Sequence, residues 1–128
     1  MLSLARIKIV LHIFFFLIVN LCFSQNLDSL HHIYQSQTDL KLKTKSLLVY
    51  GDELVHHNID SAFVCGNIAF KNAKILKDSS ILAESHMLLG YSLEAKGNYK
   101  AALQNFIIAT DLFKKMKIKS KLAQCYTA

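Results

Sequence analysis

The sequence contains neither proline nor tryptophan, and only four of its 128 residues are glycine. Proline and glycine interrupt helices, and the tight turns of β-sheet proteins rely on them. Their scarcity argues against a turn-rich β fold and favours long helices. We therefore predict an all-α chain.

Sequence patterns that carry enzyme chemistry are missing as well. The chain has no glycine-rich loop that could cradle phosphate, no nucleophile elbow, and no Ser/His/Asp or Cys/His set in a supporting context. Its nine acidic residues are scattered along the chain. We expect no catalytic or cofactor-binding residues and no cofactor within these residues, although an enzymatic domain could lie beyond residue 128.

Histidines occur as the adjacent pairs His31–His32 and His56–His57. Adjacent residues on a helix point about 100° apart, so neither pair can easily share a metal ion. Exposed positions near helix ends explain both pairs better than metal ligation does, and we expect no metal site. His86 lies on an apolar helix face and is expected to pack rather than to bind.

The net charge of +6 includes a cluster of five lysines late in the chain. A nucleic-acid surface is one interpretation of this cluster. However, lysines also suit the negative end of a helix and solvated turns, and no aromatic residues alternate with them, as stacking on single strands would need. We favour the second interpretation and expect no nucleic-acid partner for Lys114, Lys115, Lys117, Lys119 and Lys121.

Residues 1–24 have the features of a signal peptide. Arg6 and Lys8 give a basic start, Ile9–Val19 is apolar apart from one histidine, and small residues precede a possible cut before Gln25. The apolar run is short for a membrane span, which needs about 20 residues. A cleaved signal peptide is therefore the main interpretation. A retained anchor and a buried helix stay as alternatives, and only an uncleaved leader would contact the membrane.

A helical hairpin is predicted from Ala83 to Met116. Apolar residues recur there at spacings of three and four, which is the period of a helix, and Gly97 interrupts them in a position suited to a left-handed helix cap. When the sequence is compared with itself at a shift of 40 residues, Ala102 and Ala109 align with Ala62 and Ala69. From this period we predict helices at about 27–37, 39–57, 59–77, 79–96, 99–116 and 119–128.

This pattern resembles the tetratricopeptide repeat family, in the exported form found ahead of bacterial signalling modules. In that family, small residues let the two helices of a hairpin approach closely, and an aromatic residue fills the gap between them. The resemblance implies helix-turn-helix hairpins stacked as an α-solenoid over residues 25–128, with the last repeat truncated. The signature residues are Leu89, Gly90, Gly97, Tyr99, Ala102, Phe106 and Ala109.

The preceding repeat departs from this signature. In the 40-residue register, Tyr50 and Gly66 stand where Gly90 and Phe106 stand one repeat later. Bulky and small residues have thus exchanged places. We interpret the exchange as one that conserves volume between the paired helices.

A ligand groove is implied by the same resemblance, because the first helices of stacked hairpins line a concave surface in this family. The equivalent positions share one helix face and combine apolar side chains with acidic charge. An ordinary core role for the methionine and solvated glutamates are the alternative. The candidate groove residues are Glu84, Met87, Tyr91 and Glu94.

Two cysteines, Cys65 and Cys125, lie outside the leader. Exported chains often pair their cysteines. In stacked hairpins, however, one whole hairpin would separate these two, and the gap of about two helix spacings of 8–10 Å exceeds the Cα separation of about 7 Å that a disulfide tolerates. We predict two free thiols.

Two functional interpretations remain open. The first is an exported scaffold, periplasmic or anchored in the membrane and facing the periplasm, that binds a protein or peptide. The second is the extracytoplasmic sensor segment of a membrane-bound histidine kinase or transcriptional regulator, with its output domain beyond residue 128. Further repeats of the same chain are possible partners in either case. We expect residues 119–128 to fray in isolation, because a lone ten-residue helix is marginal in water.

Overall fold

The protein's structure, a computed structural model, describes residues 4–117 and Lys121, with side chains from Arg6 to Phe15 and from Leu27 onwards. All secondary structure in this part of the chain is helical, so the predicted all-α class is confirmed. The helices are α1 (Leu4–Ser36), α2 (Leu40–Leu54), α3 (Ile59–Leu76), α4 (Ser79–Ala95) and α5 (Tyr99–Lys115).

Helices α2 to α5 agree with the predicted helices to within three residues at every end. At the N-terminus, the expected short helix at 27–37 is helical to Ser36, but it does not begin at residue 27, because the structure joins it to the leader in one continuous helix, α1. No proline or glycine interrupts this stretch, which explains why the helix continues. The last predicted helix, 119–128, lies outside the described residues apart from Lys121, which is helical.

Helix starts are marked by four polar caps that satisfy otherwise unpaired backbone N–H groups. The side-chain oxygen of Asp39 accepts from Leu42 N at 2.8 Å, and that of Asp78 accepts from Ile81 N at 3.1 Å. Asn58 and Asn98 cap α3 and α5 in the same way. The sequence therefore fixes these starts locally, before any tertiary contact is made.

These caps also show that the repeat has two spacings. Asn58 and Asn98, which begin the second helices, keep the predicted 40-residue spacing. Asp39 and Asp78, which begin the first helices, have a 39-residue spacing instead. Counted from the caps, Gly51 is therefore the equivalent of Gly90.

Within each hairpin, the two helices cross closely at a glycine. A Cβ atom placed on Gly90 would lie 2.6 Å from Cε1 of Phe106, and one placed on Gly51 would lie 3.0 Å from Cβ of Cys65. Both distances are too short for a normal carbon–carbon contact. Glycine thus permits the close crossing of α2 with α3 and of α4 with α5.

The expected exchange of volume between Tyr50 and Gly66 is wrong. Gly66 lies against Leu89 of α4, whose Cδ2 would be 2.9 Å from an added Cβ. Tyr50 instead faces α1, where its ring centroid is 5.3 Å from that of His31. The prediction failed because the first helices follow the 39-residue spacing, which assigns the close crossing to Gly51.

The core consists of two clusters that share helix α4. The larger joins α2, α3 and α4 and includes Ala62, Ala69 and Leu88, each without solvent exposure. The smaller joins α4 and α5 through Ala83, Met87, Ala109 and Phe113. Because α4 belongs to both clusters, its position relative to α2 and α5 is held from both sides.

An ion pair links α2 directly to α4. Nζ of Lys41 lies 2.8 Å from Oδ2 of Asp78, the cap of α4. This hydrogen bond, together with the N–H groups of Ile81 and Ser80, lowers the pKa of the Asp78 carboxyl. One carboxylate thus caps a helix and orients it against its neighbour.

The N-terminal part of α1 exposes apolar side chains to solvent. Val10, Phe14 and Phe15 are 61, 62 and 70 % exposed. From Leu27 onwards the helix joins the larger core cluster through Leu27 and Tyr34. Within the described residues, none of the helices is both long enough and apolar enough for a membrane span.

We expect Gly90→Ala to destabilise the protein by about 1 kcal/mol, because the strain against Phe106 exceeds the gain in helix propensity. In a Phe106→Ala background the same substitution should be neutral or stabilising, because the methyl group then has room. Urea unfolding followed by circular dichroism measures both effects. An equal effect in the two backgrounds would show that the contact with Phe106 does not require glycine.

Two helix C-caps should respond in opposite directions. Lys77 has a φ of 52°, in the left-handed region that suits glycine, and Gly97 has a φ of 76° with open space around its Cα. We expect Lys77→Gly to stabilise and Gly97→Ala to destabilise, each by about 0.5–1 kcal/mol. Thermal unfolding of the two variants tests this, and shifts of the same sign would contradict it.

Candidate functional site

A small hollow opens where α2 and α4 lie side by side. Leu48 and Asp52 of α2, Glu84 and Met87 of α4, and Lys121 line it. Its volume is about 30 Å³, which is close to the share of one water molecule in the liquid. The hollow can therefore hold one small polar group, such as the ammonium of a lysine, but not a folded ligand.

The polar wall of this hollow consists of two carboxylates and one ammonium. Desolvation by the surrounding protein raises the pKa of Asp52 to about 6, and the negative charge of Glu84 contributes in the same direction. The positive charge of Lys121 opposes the rise. Asp52 as a residue nevertheless stays open to solvent, so water screens part of this cost.

Glu84 and Met87, two of the four predicted groove residues, meet in the hollow. Glu84 is half-buried, and Ser80 Oγ lies 3.5 Å from its Oε1. Met87 is only 7 % exposed and also packs in the core cluster with Phe113 and Ala109. The methionine therefore combines a core role with a place in the floor of the hollow.

Tyr91 and Glu94, the other two, are half-buried on α4 and do not line this hollow. The Tyr91 ring packs edge-on against Phe106, with centroids 5.2 Å apart. It thereby belongs to the packing between α4 and α5 as well as to the predicted face. Glu84 and Met87 therefore lie together in the hollow, whereas Tyr91 and Glu94 do not contribute to its lining.

Sequence reasoning missed Leu48, Asp52 and Lys121. The spacing of the caps contains the missing signal for two of them. In the 39-residue register of the first helices, Met87 falls on Leu48 and Tyr91 falls on Asp52, so the groove pattern of α4 continues on α2. A constant period of 40 residues conceals this equivalence, because it aligns each residue of α4 with the residue of α2 that lies one position too early.

The signature residues divide into buried and exposed positions. Leu89, Ala102, Phe106 and Ala109 are buried, and Gly97 has the left-handed backbone expected of a cap. Tyr99 is 70 % exposed, so most of its side chain lies outside the core of its own hairpin.

His86 packs, as expected. Its ring meets that of Phe70 edge-on at 5.3 Å, and its Nδ1 lies 2.9 Å from Oδ1 of Asn105. Asn105 is itself oriented, because its Nδ2 donates to the carbonyl of Ala101 at 2.9 Å. The histidine therefore connects α3, α4 and α5 across the back of the hairpins.

Within the described residues, no three His, Cys, Asp or Glu side chains converge on a point that could hold a metal ion. Cys65 is a free, buried thiol, and burial raises its pKa. Its thiolate fraction is correspondingly low, which makes it a poor nucleophile. Cys125 lies outside the described residues, so the prediction of a second free thiol stays a prediction.

No protein-family model matches the chain, and neither a curated protein nor a solved structure shows significant similarity to it.

The raised pKa of Asp52 predicts a specific pH dependence. The folded protein binds this proton more tightly than the unfolded chain, so Asp52 should lower the free energy of unfolding as pH rises from about 4 to about 6. Solvent screening limits the effect to about 1 kcal/mol or less.

We expect Asp52→Asn to remove this slope and to be the more stable form at pH 7. Urea unfolding of both proteins between pH 4 and pH 7 measures the difference. Parallel stability curves for the two proteins over this range would contradict the assignment.

Proposed function

We propose that this chain is an exported scaffold of the tetratricopeptide kind, in which helical hairpins stack as a solenoid and bind a peptide or protein partner. The ligand surface in this proposal is the groove along α2 and α4, centred on the hollow. The observation that carries it is the convergence of Asp52, Glu84 and Met87, which belong to neighbouring first helices. The chain is not proposed to catalyse a reaction.

The chemistry of the hollow favours a partner with a positively charged side chain on an aliphatic stem. Leu48 and Met87 supply apolar surface, and Asp52 and Glu84 supply negative charge at its edge. Lys121 already places a lysine near Asp52, so the hollow is compatible with an ammonium group. A lysine of the partner would relieve the repulsion between the two carboxylates.

Export is supported by the leader. Its basic start and apolar run are typical of a signal peptide, and the apolar side chains from Ile7 to Phe15 are exposed rather than packed in the core. Core contacts of α1 include Leu27 and Tyr34, which follow the proposed cut before Gln25. Cleavage there would leave these contacts in place. A retained leader would instead anchor the scaffold to the membrane, with the scaffold facing the periplasm.

Fluorescence anisotropy with labelled ten-residue peptides tests the groove. We expect a peptide of alternating leucine and lysine to bind more tightly than its leucine–glutamate counterpart. Asp52→Asn and Glu84→Gln should each weaken lysine-peptide binding by about fivefold, which corresponds to about 1 kcal/mol for one exposed ion pair. Salt should reduce the preference, because it screens exposed charges.

Asp111→Asn provides a matched control, since Asp111 is an exposed carboxylate on α5, away from the hollow. It changes the net charge by the same amount as Asp52→Asn and should leave binding unchanged. Equal affinity for the two peptides, or an equal loss in the Asp111 variant, would show that the hollow does not select the partner.

A further inference from the structure

Helix α3 has an apolar side that is open to solvent. Val64, Ile68 and Ile75 recur there at intervals of four and seven residues, which places them on one side of the helix. They are 54, 37 and 70 % exposed. Lys71, which is also exposed, lies three residues after Ile68 and four before Ile75. Apolar and cationic side chains are therefore mixed on the same side of α3.

Helix α5 repeats this combination. Ile108, the equivalent of Ile68 at the 40-residue spacing of the second helices, is 43 % exposed. The exposed Lys115 follows it by seven residues, and the exposed Lys100 precedes it by eight. Two helical turns span about seven residues, so both lysines lie on the side of Ile108.

Both helices lie against α4. His86 of α4 contacts each of them, through the Phe70 ring of α3 and through Oδ1 of Asn105 on α5. The fully buried Ala69 and Ala109 belong to core clusters that α3 and α5 share with α4. The exposed isoleucines and lysines therefore point away from α4. We call this surface the outer face, and it consists of Ile68, Lys71, Ile75, Lys100, Ile108 and Lys115.

Positive charge in the hairpins is concentrated on their second helices. Residues 58–77 and 98–117, which contain α3 and α5 with their caps, have seven lysines and two aspartates, a net charge of +5. Residues 39–57 and 78–97, which contain α2 and α4, have four lysines and six carboxylates, a net charge of −2. One of the two aspartates, Asp60, already pairs with Nζ of Lys96 at 2.6 Å. The outer face thus belongs to the cationic helices, and the hollow belongs to the anionic ones.

From exposed isoleucines on the cationic helices, we infer that the outer face binds a membrane surface that contains anionic lipids. The lysine ammonium groups pair with lipid phosphates, and the isoleucines enter the boundary between headgroups and acyl chains. Lysines mixed with aliphatic side chains are typical of helices that lie in this boundary.

Other partners fit this surface less well. A nucleic acid would pair with the lysines through its phosphates but would leave the isoleucines in water. Protein interfaces are depleted in lysine, so an apolar protein partner does not account for the charge. A bilayer with anionic headgroups takes up both kinds of side chain.

This contact does not depend on the leader. Membrane contact was expected only through an uncleaved leader, whereas the outer face lies entirely on α3 and α5. The hollow is formed by α2 and α4, so a protein bound through the outer face keeps the groove free for a peptide. The inference therefore stands apart from the proposed peptide binding.

Single tryptophans test the inference, because the chain contains none. Ile75→Trp and Ile108→Trp place the reporter on the outer face, and Val49→Trp places it on α2, where Val49 is 53 % exposed. The full chain is mixed with vesicles made of equal parts phosphatidylcholine and phosphatidylglycerol, with brominated acyl chains. We expect emission from the outer-face tryptophans to shift to shorter wavelength and to be quenched by bromine. Emission from Val49→Trp should change little.

Charge variants in the Ile75→Trp background measure the role of the lysines. Lys71→Gln and Lys115→Gln should each lower the apparent affinity for these vesicles about fivefold, since a lysine near an anionic surface contributes about 1 kcal/mol. Lys45→Gln is the matched control, because Lys45 is an exposed lysine on α2 and the change in charge is the same. It should leave the affinity unchanged.

Three results would overturn the inference. The first is equal quenching at Val49→Trp and Ile75→Trp, since the leader alone would then bring the whole chain to the bilayer. The second is the absence of quenching at both outer-face positions. The third is quenching that Lys71→Gln and Lys115→Gln leave intact, or that is equally strong in pure phosphatidylcholine. Peptide affinity plays no part in these measurements, so failure of the proposed groove would be recognised separately.

Discussion

Close approach of the helices depends on small residues at the points where they cross. Helix axes usually lie about 8–10 Å apart, and the lower end of this range is open only to glycine and alanine. Here Gly90 admits the Phe106 ring, Gly51 admits Leu88 and Cys65, and Gly66 admits Leu89. Ala62, Ala69 and Ala109 are fully buried along the same interfaces. A larger side chain at any of these positions would move a helix and disturb both clusters of the core, because α4 belongs to each.

Polar groups inside this packing are satisfied by the helices themselves. The hydroxyls of Ser85, Ser92 and Thr110 are buried, and each donates to a carbonyl of its own helix at 2.7–2.8 Å. Among the described residues, no buried side-chain nitrogen or oxygen lacks a partner. The cost of burying these three hydroxyls is therefore offset within each helix. The packing of the hairpins is governed mainly by shape.

At the edge where α2 and α4 meet, charged side chains form one favourable and one unfavourable arrangement. The Lys41–Asp78 pair joins complementary charges and is stabilising. In the hollow, by contrast, Asp52 and Glu84 place like charges near each other, and the raised pKa of Asp52 shows that the folded protein disfavours its charge. Groups held in an unfavourable electrostatic environment often mark functional surfaces, although structural causes also produce them. This contrast is the physical reason why we propose the hollow, rather than another part of the two helices, as the ligand surface.

The amino-acid sequence alone determined the helices and their beginnings. The 3.6-residue period, the absence of proline and the Asp and Asn caps act within a few residues, so helices α2 to α5 could be read within three residues of their ends. Gly90 and Phe106 could likewise be paired, because both belong to the hairpin whose pattern is clearest. Glu84 and Met87, two of the four groove residues that the family resemblance implied, also line the same hollow.

The structure made the register between the hairpins apparent, although the two cap spacings that carry it are features of the sequence. The spacing between first caps is one residue shorter than the spacing between second caps, which rotates the comparison of α2 with α4 by about 100°. A single repeat period cannot show this difference in spacing. The contacts show it, because the close crossing of α2 with α3 lies at Gly51 and not at Tyr50. They also brought Leu48, Asp52 and Lys121 to the hollow. Side chains distant in sequence share a site only after the helices pack, and that packing is set by volumes at the crossings, which no local pattern encodes.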